Sequence, residues 1–425
     1  MKNIKFFKVV LFIFSVYFLF GISNSSHAGW IYQSSGTSEH LRSVCFVNDL
    51  TGWVVGYSGK ILKTTNGGTN WISQSSPTSN PLLSVFFINS LKGWAVGGLG
   101  DIIATGNGGT NWMLQSTGST SAFNSVFFIT ESIGWTVGEF MVILKTTNGG
   151  INWTPLLSGS VPLNSVIFTD VNTGYIAGNS GYVMKSTNGG LNWTVQNSNV
   201  SYYLYSIHFP ASGASLTGYT VGMGTPSPPI LKSTDAGITW SIQSVPLGDA
   251  LTSVFFSDAL NGWAGGYMGT IMHTSNGGIT WPYQTSGTGN SIRSVYFVNS
   301  MTGWAVGDLG TILKTGNGGV SSINTISNTI PEKYSLFQNY PNPFNPTTII
   351  RLQIADFRSQ IGKANKTVLK VYDILGKEVQ TLVDEVLQPG TYKVKFDGSS
   401  LPSGIYFYRL SAGEYMETKK FILMK

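Results

Sequence analysis

The chain has 425 residues, of which 25 are basic and 19 acidic, with 52 glycines, 12 tryptophans and a single cysteine. So few charges among so much glycine and aromatic residue argue against a helical protein and for many short strands joined by turns. The net charge of +6 divides into +3 over residues 1–28, −1 over 29–325 and +4 over 326–425; the long middle section offers no basic stripe to a phosphate backbone, so nucleic acid is not an expected partner.

The chain opens with Lys2, Lys5 and Lys8, an apolar run from Val9 to Ile22, and small residues at Ser26 and Ala28. That order predicts a signal peptide over residues 1–28, cleaved before Gly29, because about 14 apolar residues are short for a membrane span. Cys45 has no second cysteine to pair with, so the exported domains must rest on packing.

Next comes a repeat. "TGWVVG" at Thr51–Gly56 returns six times, with aromatic anchors Trp53, Trp94, Trp135, Tyr175, Tyr219, Trp263 and Trp304 spaced by 41, 41, 40, 44, 44 and 41 residues. Each unit carries four strand-like pieces, in the first copy "LRSVCFV", "GWVVGY", "KILKTT" and "NWISQSS", separated by glycine turns. A period near 40 with four strands per unit predicts an all-β fold, a seven-bladed β-propeller over residues 29–319. The seventh unit stops at Gly319 without its last strand. "WIYQSS", from Trp30 to Ser35, has the character of that strand, so the propeller is expected to be closed by the N-terminal strand, which removes an open edge.

Between the third and fourth pieces lies "TTNGGTNW", Thr64–Trp71, a pattern that recurs with its tryptophan at Trp112, Trp153, Trp193, Trp240 and Trp281. Asn66 can bond the turn backbone through its side chain, Gly68 can take positive φ, and Trp71 can fold over the hairpin. One copy per blade is what a structural turn needs, so these residues are expected to be scaffold. The boxes resemble the Asp-box (BNR) repeats of sialidase-like propellers. The joint pattern "GWxVGxxGxILKTxNGGxxW" resembles the photosystem II stability/assembly factor-like propellers over residues 30–319. That resemblance implies the propeller fold. In plant and cyanobacterial members it implies photosystem assembly through an arginine-rich patch, whereas this propeller has only Arg42 and Arg293. In blade 5 the longer "GMGTPSPPI" suggests a lip at Pro226–Pro229.

After Gly319, "VSSINTISNTIPEKYS" has no repeat character and reads as a linker, residues 320–333. Residues 334–425 alternate strands with Gly and Pro turns and predict a small Ig-like β-sandwich, with "ADFRSQIGKANKT" as a loop. "NYPNPFNPTT" (Asn339–Thr348), "VYDILGKEV" (Val371–Val379) and "LPSGIYFYRL" (Leu401–Leu410) closely resemble the C-terminal sorting domain of type IX (Por) secretion cargo. The resemblance implies a partner, the type IX secretion machinery, and a location that is secreted or attached to the outer-membrane surface, reached via the periplasm.

The chemistry is sparse. No His or Cys pair has ligand spacing, so no metal and no cofactor are expected. Sialidase chemistry needs three arginines where this propeller has two, and no catalytic residue is assigned. Binding is the better reading. The residue opening each innermost strand and the residue ending each second strand fall on the face opposite the Asp-box turns. There Arg42, Tyr57, Tyr267, Arg293 and Asp308 become neighbours on blades 6, 7 and 1, with Glu139 on the same rim. The expected function is a non-catalytic exported propeller that binds a protein partner or glycan. The alternatives are a glycan-cleaving hydrolase using two acids from Asp101, Glu139 and Asp308, and a photosystem II assembly or stability chaperone.

Overall fold

The computed structural model describes residues 29–210, 216–224, 228–319, 323–327, 329–355, 367–385, 387, 389–399 and 401–425. The signal-peptide reading of residues 1–28, most of the loop read at 355–367 and Pro226 of the blade 5 lip lie outside the described residues.

Residues 30–319 form seven four-stranded antiparallel sheets. Blade 1 consists of Leu41–Phe46, Gly52–Gly56, Ile61–Thr64 and Ile72–Ser73, from the axis outwards. The second strand is buried at all five positions, which explains its unbroken apolar sequence: both of its faces are covered by neighbouring blades. The innermost strands touch one another in cyclic order, blade 7 returning to blade 1. Blade 7 takes its outermost strand from the start of the chain, where Ile31 pairs with Lys314, Tyr32 with Leu313 and Gln33 with Ile312.

One aromatic module is repeated at every blade junction. A phenylalanine at the end of the innermost strand, or just past it as Phe209 is in blade 5, lies flat on the aromatic anchor of the preceding blade, as Phe87 does on Trp53 with ring centres 3.5 Å apart. The same Phe87 meets the Asp-box Trp112 of its own blade edge-on at 5.7 Å. At the closing junction Phe46 stacks on Trp304 at 3.5 Å, and Phe297 finds Trp30 edge-on at 5.7 Å. Trp30 therefore stands where the seventh box tryptophan would be. The glycine before each anchor is a packing requirement, since a Cβ on Gly52 would lie 2.5 Å from the ring of Phe46.

The Asp-box turns tie the junctions together. Thr64 Oγ1 accepts a bond from the Gly68 amide (2.9 Å), while Asn66 Oδ1 accepts from Thr64 Oγ1 (3.0 Å) and the Asn70 amide (2.9 Å). Gly68 holds φ at +90°, a conformation that disfavours a side chain. The turn carbonyl so exposed is then used by the preceding blade, Trp53 Nε1 donating to Gly108 O at 3.1 Å and Trp304 Nε1 to Gly67 O at 3.2 Å. Trp112, Trp153, Trp240 and Trp281 are buried, and Trp71 and Trp193 half-buried.

The last section is a sandwich of two four-stranded sheets around Leu336, Phe344, Ile350, Val394, Tyr408 and Phe421. The linker reading of residues 320–333 needs correcting at one place. Ile323–Ser327 is a strand, pairing with Gly390–Asp397 of the sandwich through Ile323↔Val394. Its mixed Ile, Thr and Asn sequence carries no repeat signature but has enough β-branching to take an edge position. The proline-rich lead-in is bound to the end of the chain, with the Phe344 amide donating to Ile422 O at 3.0 Å and the Met424 amide to Phe344 O at 2.9 Å.

Candidate binding site at the propeller mouth

In six blades the innermost strand opens with a fully buried aliphatic or Phe residue, and in blade 5 the buried Leu204 comes second, after the exposed Tyr203; a register shift follows in every blade, and the next side chain is released toward the axis. These second residues, among them Arg42, Asn124, Asn164 and Arg293, line a cup of about 300 Å³ together with Glu139 and Tyr267 from the turns after the second strands. Four of the six residues expected to form a site thus line one cavity. Tyr57 lies beneath Arg42, whose guanidinium carbon is 5.7 Å from the ring centre, and Asp308 stands behind Arg293.

The two arginines are in different states. Arg293 is held: its Nε and Nη2 donate to Asp308 Oδ1 and Oδ2 at 2.9 and 2.6 Å, and its guanidinium covers Tyr267 at 5.0 Å. His40 Nδ1 lies 3.0 Å from the same Asp308 Oδ1. Burial acts to raise the pKa of Asp308, but the bonds from Arg293 and His40 outweigh it and hold the carboxyl below the usual range. Arg42, among the described residues, has no hydrogen bond and no carboxylate within ion-pair distance. Burial, with Arg293 adding to it, lowers its pKa, while Tyr57 and Asp308 act in the opposite direction. Apart from the Tyr57 ring beneath it, this half-buried guanidinium faces the cavity with its N–H donors uncommitted, which is the chemistry needed to accept a carboxylate or other anion.

The other acids are placed differently. Glu139 receives one long bond, from Asn124 Nδ2 at 3.4 Å. Asp101 is held in the blade 2 loops by Thr78 Oγ1 (2.5 Å) and Asn80 Nδ2 (3.0 Å) and is not among the residues that line the cup.

Sequence reasoning passed over what lies under the cup. Two residues after the first buried residue of each innermost strand stands a serine: Ser43, Ser84, Ser125, Ser165, Ser206, Ser253 and Ser294. Each hydroxyl accepts the backbone amide of the following blade at 3.1–3.4 Å, from Val85 N on Ser43 round to Val44 N on Ser294. The signal was the dipeptide Ser-Val, or Ser-Ile once, repeated with the blades. Below this belt the axis is lined by apolar rings, Phe86 against Phe127 at 5.1 Å and Phe255 against Tyr296 at 4.9 Å. Cys45 and His208 belong to the same tier, and burial pushes the thiol up to about 12 and the imidazole down to about 4. His273 takes the slot from which Lys63, Lys145, Lys185 and Lys232 bond the next box carbonyl, stacks on Trp263 at 4.7 Å, and is pushed by burial down to about 4. Among the described residues no three His, Cys, Asp or Glu side chains converge to hold a metal.

Residues 338–424 match the family of secretion system C-terminal sorting domains, and residues 71–165 and 233–339 match the photosynthesis system II assembly factor YCF48 family. The propeller is of the photosystem II assembly factor-like BNR type, and the last unit is a type IX sorting domain. Among solved structures the BNR propeller is similar to YCF48 bound to D1 peptide, at 17% identity and a TM-score of 0.58 over 68% of this chain and 96% of that one. It is also similar to YCF48 from Cyanidioschyzon merolae, at 21% identity and a TM-score of 0.57 over 67% and 98%. The WD40 β-propeller domain of Doa1, at 12% identity and a TM-score of 0.52 over 67% and 96%, shares the same architecture. No curated protein matches the sequence. The sorting domain marks the chain for type IX secretion to the cell surface or the medium.

Proposed function

We propose that this is an exported, non-catalytic receptor propeller that takes an anionic group of a protein or glycan ligand into its mouth at Arg42. On this reading residues 1–28 are a signal peptide that brings the chain to the periplasm, and the sorting domain carries it onward through the type IX machinery. The observation that carries the proposal is the unpartnered guanidinium of Arg42, facing a cup of about 300 Å³ beside a second arginine that Asp308 already holds. That a BNR propeller of the same architecture has been solved with a peptide bound supports a peptide as one kind of ligand.

A hydrolase fits less well. It needs one carboxyl that holds a proton near neutral pH and a second facing it. Asp308 is kept ionised by Arg293 and His40, and Asp101 is absent from the cup lining. A photosystem assembly role fits the family match but not the sorting domain, which directs the chain out of the cell.

The test is binding of the full chain to a glycan array and to synthetic peptides carrying carboxylates, each peptide paired with its carboxamide. Arg42→Gln should weaken the bound ligand by about 10- to 100-fold, the effect of one charge-assisted hydrogen bond. Saccharide turnover that disappears in Asp308→Asn would overturn the receptor reading.

A further inference from the structure

The turns that follow the second strands are two-residue hairpins whose first residue is left-handed. Ser58, Leu99, Phe140, Ser180, Met268 and Leu309 all have φ between 53° and 57°. Such turns favour Asn, Asp or Gly at this position, because a bulky side chain is strained there. Blades 1 and 4 place serine at the tip. Blades 2, 3, 6 and 7 instead hold Leu99, Phe140, Met268 and Leu309, which are 69%, 63%, 69% and 56% exposed. In blade 3 the strain is doubled, since Met141 follows Phe140 at φ 54°. These four side chains are strained and open to water at once, so neither turn geometry nor core packing accounts for them.

Their placement is specific. Each tip directly follows a rim residue of the mouth: Leu99 follows Gly98, Phe140 follows Glu139, Met268 follows Tyr267 and Leu309 follows Asp308. Blades 6 and 7 lie on one side of blade 1, and blades 2 and 3 on the other. Arg42, the guanidinium without a partner, belongs to blade 1 and stands at the middle of this apolar arc.

We propose that the ligand of the mouth is a protein segment in which a carboxylate is flanked by apolar side chains. The acid enters the cup at Arg42 while its neighbours pack on Leu99, Phe140, Met268 and Leu309. This rests on the receptor reading above and narrows it from protein or glycan to protein. Three of the four tips are aliphatic, and aliphatic groups gain by removing apolar protein surface from water, whereas a sugar ring is gripped by flat aromatic faces. The strain retained at the tips is what a binding surface held against local stability would show.

The test replaces all four tips, Leu99→Asn, Phe140→Asn, Met268→Asn and Leu309→Asn, in the full chain. Asparagine suits the left-handed turn, so thermal unfolding should stay level or rise. The probes are synthetic peptides with one Glu flanked by Leu and Phe, the same peptides flanked by Ser and Gly, and acidic oligosaccharides. The wild-type chain should prefer the Leu/Phe set at least tenfold, and the four-Asn variant should lose that preference while remaining folded. An unchanged preference in the folded variant, or binding confined to the oligosaccharides, would overturn the inference while leaving Arg42 as an anion receptor. Peptide binding that needs the tips but ignores Arg42→Gln would overturn the receptor reading and leave the apolar surface standing. Absence of binding by every probe overturns both.

Discussion

Asp235 is the one acid in an Asp-box position that the other blades fill with asparagine. Side-chain and backbone bonds from Thr239 do most to lower its pKa, which falls to about 2, with Ser233 and the Ile238 amide contributing. A group lowered in the folded state stabilises the fold above its unfolded pKa, about 3.9 for Asp, and that contribution drains away as pH falls toward the folded value. In blade 6 the equivalent Asn276 does the same work uncharged, its Nδ2 donating to Thr280 Oγ1 at 2.9 Å. Asp235→Asn should therefore melt like the wild type at pH 7 and lose less of its melting temperature than the wild type between pH 4 and 2. A variant that is equally acid-sensitive would show that the box charge carries none of the acid response. At this scale the turn residues were legible because their bonds are local: Asn66 reaches an amide four residues away. The serine belt was not, because each hydroxyl acts on another blade, 42 residues away for Ser43 and 250 for Ser294, and serine by itself reads only as polar.

At the scale of the element, strand existence and ring closure could be read from spacing and the missing piece, whereas the linker strand Ile323–Ser327 could not. Its partner is sequence-distant and its own pattern is mixed. The mouth was half legible. The repeat placed Arg42 and Arg293 on one rim, but which arginine was already paired depended on side-chain reach, and His40 entered the site through a loop that no periodicity marks. The closing strand permits a sharp contrast within three residues. Trp30 is 5% exposed, meets Phe297 edge-on and donates to Gln284 Oε1 at 2.9 Å, while Tyr32 is 59% exposed. Trp30→Ala should cost about 3–5 kcal/mol, and Tyr32→Ala no more than about 0.5 kcal/mol. Denaturant unfolding of the two variants checks this, and equal losses would mean that the strand is held by its backbone ladder alone.

For the whole molecule, the pairing of Ile323–Ser327 with Gly390–Asp397 moves the division between the two units upstream of the sorting-domain match, which begins at residue 338. The last box turn of the propeller closes at Gly319, whose amide donates to Thr315 Oγ1 at 2.7 Å. A fragment beginning at 320 keeps the edge strand of the sandwich, and one beginning at 334 loses it. Removing that strand leaves the backbone groups of residues 391–394 along one side without partners, an edge that invites association with other chains. The fragment 320–425 should therefore unfold at a higher temperature and stay monomeric at concentrations where 334–425 self-associates. Calorimetry and light scattering on the two fragments decide it. If both melt together and remain monomeric, the strand is an ornament of the join and the sorting unit begins where its family match does.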